Sequence, residues 1–143
     1  MQITDKILNI LRSINGIKTV IHDTPFSTNV RLDRRETIAA ILFMVQEFSI
    51  DIKSGMRKNS VDLEVFICDR CDLAAKGEVV ETVLDGIRPV VNEFLSLVLN
   101  EKSWVVNGDE IKVRLSCGKF DCNVVGYSIE LNLTEKQGHC IDA

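Results

Sequence analysis

Between Val79 and Leu99, apolar residues fall at Val80, Val83, Leu84, Ile87, Val91, Phe94, Leu95 and Val98. Spacings of three and four place them on one face of a helix. At 1.5 Å per residue such a helix is about 30 Å long, and being apolar on one side only it needs a broad surface to lie on. Pro89 removes one backbone donor from its interior, which predicts a kink near Asp85-Gly86.

The flanks supply that surface. Thr37 to Ile52 opens with a continuous apolar run and then alternates through Phe48, Ile50 and Ile52 against Glu47, Ser49 and Asp51, the pattern of a long strand leaving a core. Lys53 to Ser60 has the Gly, Ser and Asn content of a hairpin loop, and Val61, Leu63, Val65 and Ile67 then alternate with polar neighbours. Beyond the helix, Trp104 to Val106 meets the turn signal Asn107-Gly108-Asp109, and a second strand pair follows at Ile111–Cys117 and Val124–Leu133. Upstream, Ile3, Ile7, Ile10, Leu11 and Ile14 form a short helical stripe closed by Asn15-Gly16, and Ile17 to His22 reads as a brief extended piece.

The expected order is therefore helix, hairpin, long helix, hairpin. It predicts an α+β fold with a mixed or antiparallel sheet and both helices on one face. The other face would carry Asp62, Glu64, Lys112, Arg114, Glu130 and Asn132. Residues 1–134 form one domain in this reading, and 135–143 form a tail that frays or docks on a neighbour.

Composition narrows the function classes. With 45% hydrophobic and 27% charged residues the chain has the makings of a core, and a net charge of −4 argues against a whole-surface grip on nucleic acid or anionic lipid. The longest apolar run, Ile38 to Val45, is far short of the roughly 20 residues that span a bilayer. The first residues lack the basic and apolar regions of a signal peptide, and five cysteines without one favour free thiols.

No residue set assigns an acid, a base and a nucleophile, so no catalytic role and no cofactor are expected. Cys68 and Cys71 have CxxC spacing, and Cys117 and Cys122 sit on the second hairpin, which makes a tetrahedral zinc site the sharpest chemical alternative. The four residues between Cys117 and Cys122 exceed the usual ligand spacing, so small buried hydrophobes are the favoured reading. His22-Asp23 are adjacent on an extended segment, where side chains point apart. From Arg31 to Lys58 six cations face four acids, a net +2 on an otherwise acidic chain. Phe43 and Phe48 sit in core-like positions rather than as base-stacking platforms, so Lys53, Arg57, Lys58, Arg34 and Arg35 are expected at a contact between subunits rather than on DNA.

The order of elements resembles that of the tail-terminator, tail-completion and neck (head-to-tail connector) ring proteins of tailed bacteriophages. The residues that carry the likeness are Thr4–Asn15 as first helix, Asp23-Thr24-Pro25 opening a loop, the strand pair Ile38–Ile52 and Val61–Cys68, the single helix Val79–Leu99 with Ile87-Arg88-Pro89-Val90-Val91, and the closing hairpin Ile111–Leu133. The resemblance implies a structural virion protein in a homo-oligomeric ring, hexameric on a tail tube and larger near the portal. Its neighbours would be tail-tube, neck or portal-associated proteins. DNA would pass through the channel without sequence-specific binding, and the protein would reside in the virion, with the host cytoplasm as its place of assembly. The competing class is a small ferredoxin-like regulatory or zinc-binding domain, which uses the same inventory of elements.

Overall fold

A computed structural model of the chain describes residues 2–22, 38–43, 45, 47–52, 58–71, 77–117 and 124–136, apart from the side chains of residues 51, 58 and 117. Within these, two helices, α1 (Gln2–Ser13) and α2 (Gly77–Asn100), accompany seven strands. The strands are β1 (Thr19–Ile21), β2 (Ala39–Leu42), β3 (Glu47–Asp51), β4 (Lys58–Arg70), β5 (Trp104–Val106), β6 (Lys112–Cys117) and β7 (Val124–Glu135). They make one mixed sheet, and the fold is α+β with helices on a sheet.

The two long strands, β4 and β7, pair antiparallel over eleven positions, from Ser60 opposite Thr134 to Arg70 opposite Val124, and form the centre. Every other strand except β1, which pairs with β2, is built against one of them. On the β4 side, β2 pairs with residues 65–68 and β3 with residues 58–62, both antiparallel. Leu42 lies opposite Val65 and Glu47 opposite Asp62, so the register against β4 shifts by two residues, and the expected single strand over Thr37–Ile52 is two strands, β2 and β3. The backbone N–H of Phe43, just past β2, still donates to Glu64 O (3.1 Å).

The β7 side repeats the device. Both β5 and β6 run antiparallel to β7, so Asn107-Gly108-Asp109 does not reverse the chain. It leaves the sheet and returns to the same edge five residues later. Gly108 takes φ +89°, a region closed to most side chains, while Asn107 N–H donates to Asn132 O (2.9 Å) and its side-chain amide donates to Thr134 Oγ1 (2.6 Å). A strong turn signal marks a change of direction without saying how many changes follow.

The expected order of helix, hairpin, long helix, hairpin is thus not the one the chain adopts. The hairpins β3–β4 and β6–β7 do flank α2. Ahead of the first, β1 pairs parallel with β2, Thr19 opposite Ala39, and ahead of the second comes β5. A three-residue strand has too few positions for alternation to declare it, and pairing with a longer neighbour is what makes it a strand.

On the helix-bearing face, Ala40, Leu42, Val61, Leu63, Val65, Ile67, Val125, Ile129, Leu131 and Leu133 meet the stripe of α2 at Leu84, Ile87, Val91, Phe94 and Val98. Leu84 and Phe94 are both buried, as the helical spacing requires. The helix continues through Pro89. Its C-terminal carbonyls are met by the turn that follows: Trp104 Nε1 donates to Val98 O (3.0 Å), and Glu101 N–H donates to the same oxygen (3.3 Å). α1 packs against α2 and β1 through Ile3, Ile7, Leu8 and Leu11, and Gly16 lets the chain pass α2 where an added Cβ would stand 2.8 Å from Val90 Cγ2.

The opposite face is not uniformly polar. Ile21, Ala39, Ile41, Phe43, Phe66, Cys68 and Val124 form a second buried cluster at one end of it. At the other end the expected polar residues line up across β4 and β7. Ser128 Oγ donates to Glu64 Oε2 (2.6 Å), Asn132 donates to Asp62, and the hydroxyls of Ser60 and Thr134 share a hydrogen bond of 2.7 Å. β7 ends at Glu135, and Lys136 N–H donates to Ser103 O (3.1 Å).

Candidate subunit interface

Edge strands carry the main anomaly of the surface. β3 pairs with β4 alone and β6 with β7 alone among the described strands, so each presents one row of backbone groups outward. Alternation assigns their side chains to faces. Phe48 lies opposite Val61, and Val113 and Leu115 lie opposite Ile129 and Tyr127, all on the helix-bearing side. Yet Phe48 is 59% exposed and Leu115 55%, with Ile50, Ile52 and Val113 also exposed. The position of Phe48 is a correction: it has the phase of a core residue but lies at the sheet margin, whereas Phe43 is buried. On the other face β3 carries Glu47 and Ser49, and β6 carries Lys112, Arg114 and Ser116.

A polar anchor ties the helix to β7. Arg88 on α2 donates from Nε to Tyr127 Oη (2.9 Å) and from Nη2 to Glu81 Oε2 (3.0 Å), and its remaining nitrogen pairs with Asp85. The hydrogen bond to Tyr127, followed by that to Glu81, raises the Arg88 pKa further above its ordinary value, so this cation stays charged at any pH of interest. Below the helix, the Glu101 carboxylate titrates lower than usual. Partial burial opposes ionisation, but the N–H groups of Ser103 and Lys102 and the Lys6 ammonium outweigh it.

Of the interface residues expected from sequence, Lys53, Arg57, Arg34 and Arg35 lie outside the described residues, and Lys58 opens β4 opposite Asp51. The CxxC pair is divided between two cores. Cys71 belongs to the cluster beneath the helices and Cys68 to the cluster on the opposite face, each as a small buried side chain. Cys117 ends β6 opposite Val125, and Cys122 lies outside the described residues. Among the described residues no group of three or more His, Cys, Asp or Glu is disposed to hold a metal. His22 Nδ1 meets Leu42 O at 2.8 Å, a link from the end of β1 to β2. Among the described residues no helix is long and apolar enough to cross a membrane.

The residues that sequence reasoning missed are Phe48, Ile50, Val113 and Leu115. One signal was available: a strand reading Lys-Val-Arg-Leu-Ser-Cys places cations at alternate positions, a common guard on an edge.

No protein-family model matches the chain, and a search of curated proteins finds no match.

Proposed function

We propose that this protein is a non-enzymatic structural subunit that assembles with its own copies into a ring, in the manner of the tail-terminator and neck proteins that join head and tail in tailed phages. The observation that carries the reading is the pair of open sheet edges, β3 and β6, on opposite sides of one sheet and both exposing apolar residues. Unlike edges that meet head to tail generate a ring when the rotation closes. The element inventory α1, β3–β4, α2, β6–β7 supports the phage assignment, as the part of the expected order that is present.

In this reading the cations Lys53, Arg57 and Lys58 at the β3–β4 connection, with Arg34 and Arg35, contact acidic neighbours in the assembly. The net charge of −4 suits a channel wall past which DNA must slide, since attraction to phosphate would hold it. Tail-tube, neck or portal-associated proteins are the remaining partners, and the virion, reached from the host cytoplasm, is the destination. Native mass across a concentration series, with electron microscopy of the same sample, tests the proposal. Rings of uniform size are the expected result. Monomers at every concentration, alone and with the neighbouring virion proteins, would overturn it.

A further inference from the structure

The two edges are complementary in three independent respects. Direction is the first. β3 is antiparallel to β4, β4 to β7 and β7 to β6, so β6 runs opposite to β3. A second copy set beside the first, in the same orientation, brings its β6 antiparallel to β3 and continues the alternation across the junction. Phase is the second. The register that sets Phe48 opposite Leu115 sets Ile50 opposite Val113, and uses all five residues of β3. Four exposed apolar side chains, all on the helix-bearing face, then cover one another.

Charge is the third. β3, reading Glu-Phe-Ser-Ile-Asp, holds acids and no cation, and β6, reading Lys-Val-Arg-Leu-Ser-Cys, holds cations and no acid. On the face away from the helices the same register puts Ser49 opposite Arg114 and leaves Glu47 diagonal to it, within reach of a long side chain. Resting on the ring reading above, we infer that the subunit contact is β-strand addition of the β6 edge of one copy to the β3 edge of the next. The junction offsets neighbours. Glu47 stands level with Asp62, and Ser116, through Gly126, level with Cys68, so each copy slips six residues along the strands. That is about 20 Å at 3.3–3.4 Å per residue, and a slip of this kind tilts the strands as a sheet closes on itself.

A charge exchange tests the contact. Glu47 and Arg114 are both exposed, so Glu47→Arg and Arg114→Glu should leave the melting temperature of the monomer unchanged. Each alone should raise the concentration needed for assembly by about tenfold or more, by setting like charges together. The double variant, or an equimolar mixture of the two single variants, should restore assembly. Leu115→Lys should block it without rescue from either. If the wild type assembles and the single variants assemble equally well, or the double variant stays dissociated, the β3–β6 contact is wrong while the ring reading stands. A wild type that never assembles removes both.

Discussion

The face of the sheet that the helices leave uncovered has two unlike ends. At one, Ile41, Phe66, Cys68 and Val124 are buried and the strands are apolar on both sides. At the other, a few residues along the same two central strands, Ser60, Asp62 and Glu64 meet Thr134, Asn132 and Ser128 in a ladder of hydrogen bonds. One pair of strands thus begins as a solvated surface and ends as an interior. The open edge β3 lies at the polar end and the buried strand β2 at the apolar end, on the same side of β4. The other open edge, β6, lies level with residues 64–69 of β4, toward the apolar end, so the two edges stand at different heights along the central pair.

The sharpest way to break this comparison is at the apolar end. Phe66→Ala removes a fully buried ring on the side away from the helices and should cost about 3–5 kcal/mol in denaturant unfolding, as much as Phe94→Ala beneath α2. A cost below about 1 kcal/mol would mean that this cluster is only a surface patch. Gly126 is next. A Cβ there would collide with Ile67 O and stand 2.6 Å from Cys68 Cα, backbone atoms that have no rotamer to yield, so Gly126→Ala should cost about 1–3 kcal/mol through displacement of β7 from β4. Gly16→Ala offers the contrast, because among the described residues an added Cβ would meet a valine methyl and no backbone atom, and it should cost less.

The polar end should respond least. Asp62→Ala and Asn132→Ala remove the two members of one exposed rung, and a double-mutant cycle should give a coupling of about 0.2–1 kcal/mol. A coupling above about 2 kcal/mol would place this rung in a desolvated setting and erase the difference between the two ends.

Much of the fold was legible in the chain. The stripe from Val80 to Val98 specified a helix with one buried side, and strict alternation at Val61–Ile67 and Val125–Leu133 specified two strands, though not that they pair with each other, because long elements repeat their period often enough to be read. β1 was legible only as a brief extended piece at Ile17–His22, and β5 only as the apolar residues Trp104–Val106 ahead of a turn, both without partners. Three residues carry no period, and their pairing depends on where β2 and β7 happen to lie. The register shifts between Leu42 and Glu47 and between Val106 and Lys112 were hidden for a related reason, since register is a relation between two strands. The candidate interface fared worst. Alternation places Phe48 and Leu115 on the apolar face of a sheet, but whether a helix lies above them is settled by the footprint of α1 and α2.

What the sequence determined by itself, then, is which residues face the same way: the periods of 3.6 and 2 are properties of the backbone and need no partner to operate. What only the tertiary structure decided is which of those faces are covered. Cys68 and Cys71 pass into different cores, Asn107–Asp109 returns to the edge it left, and Phe48 stays in water with the phase of a core residue, because burial is a relation between elements distant in the chain.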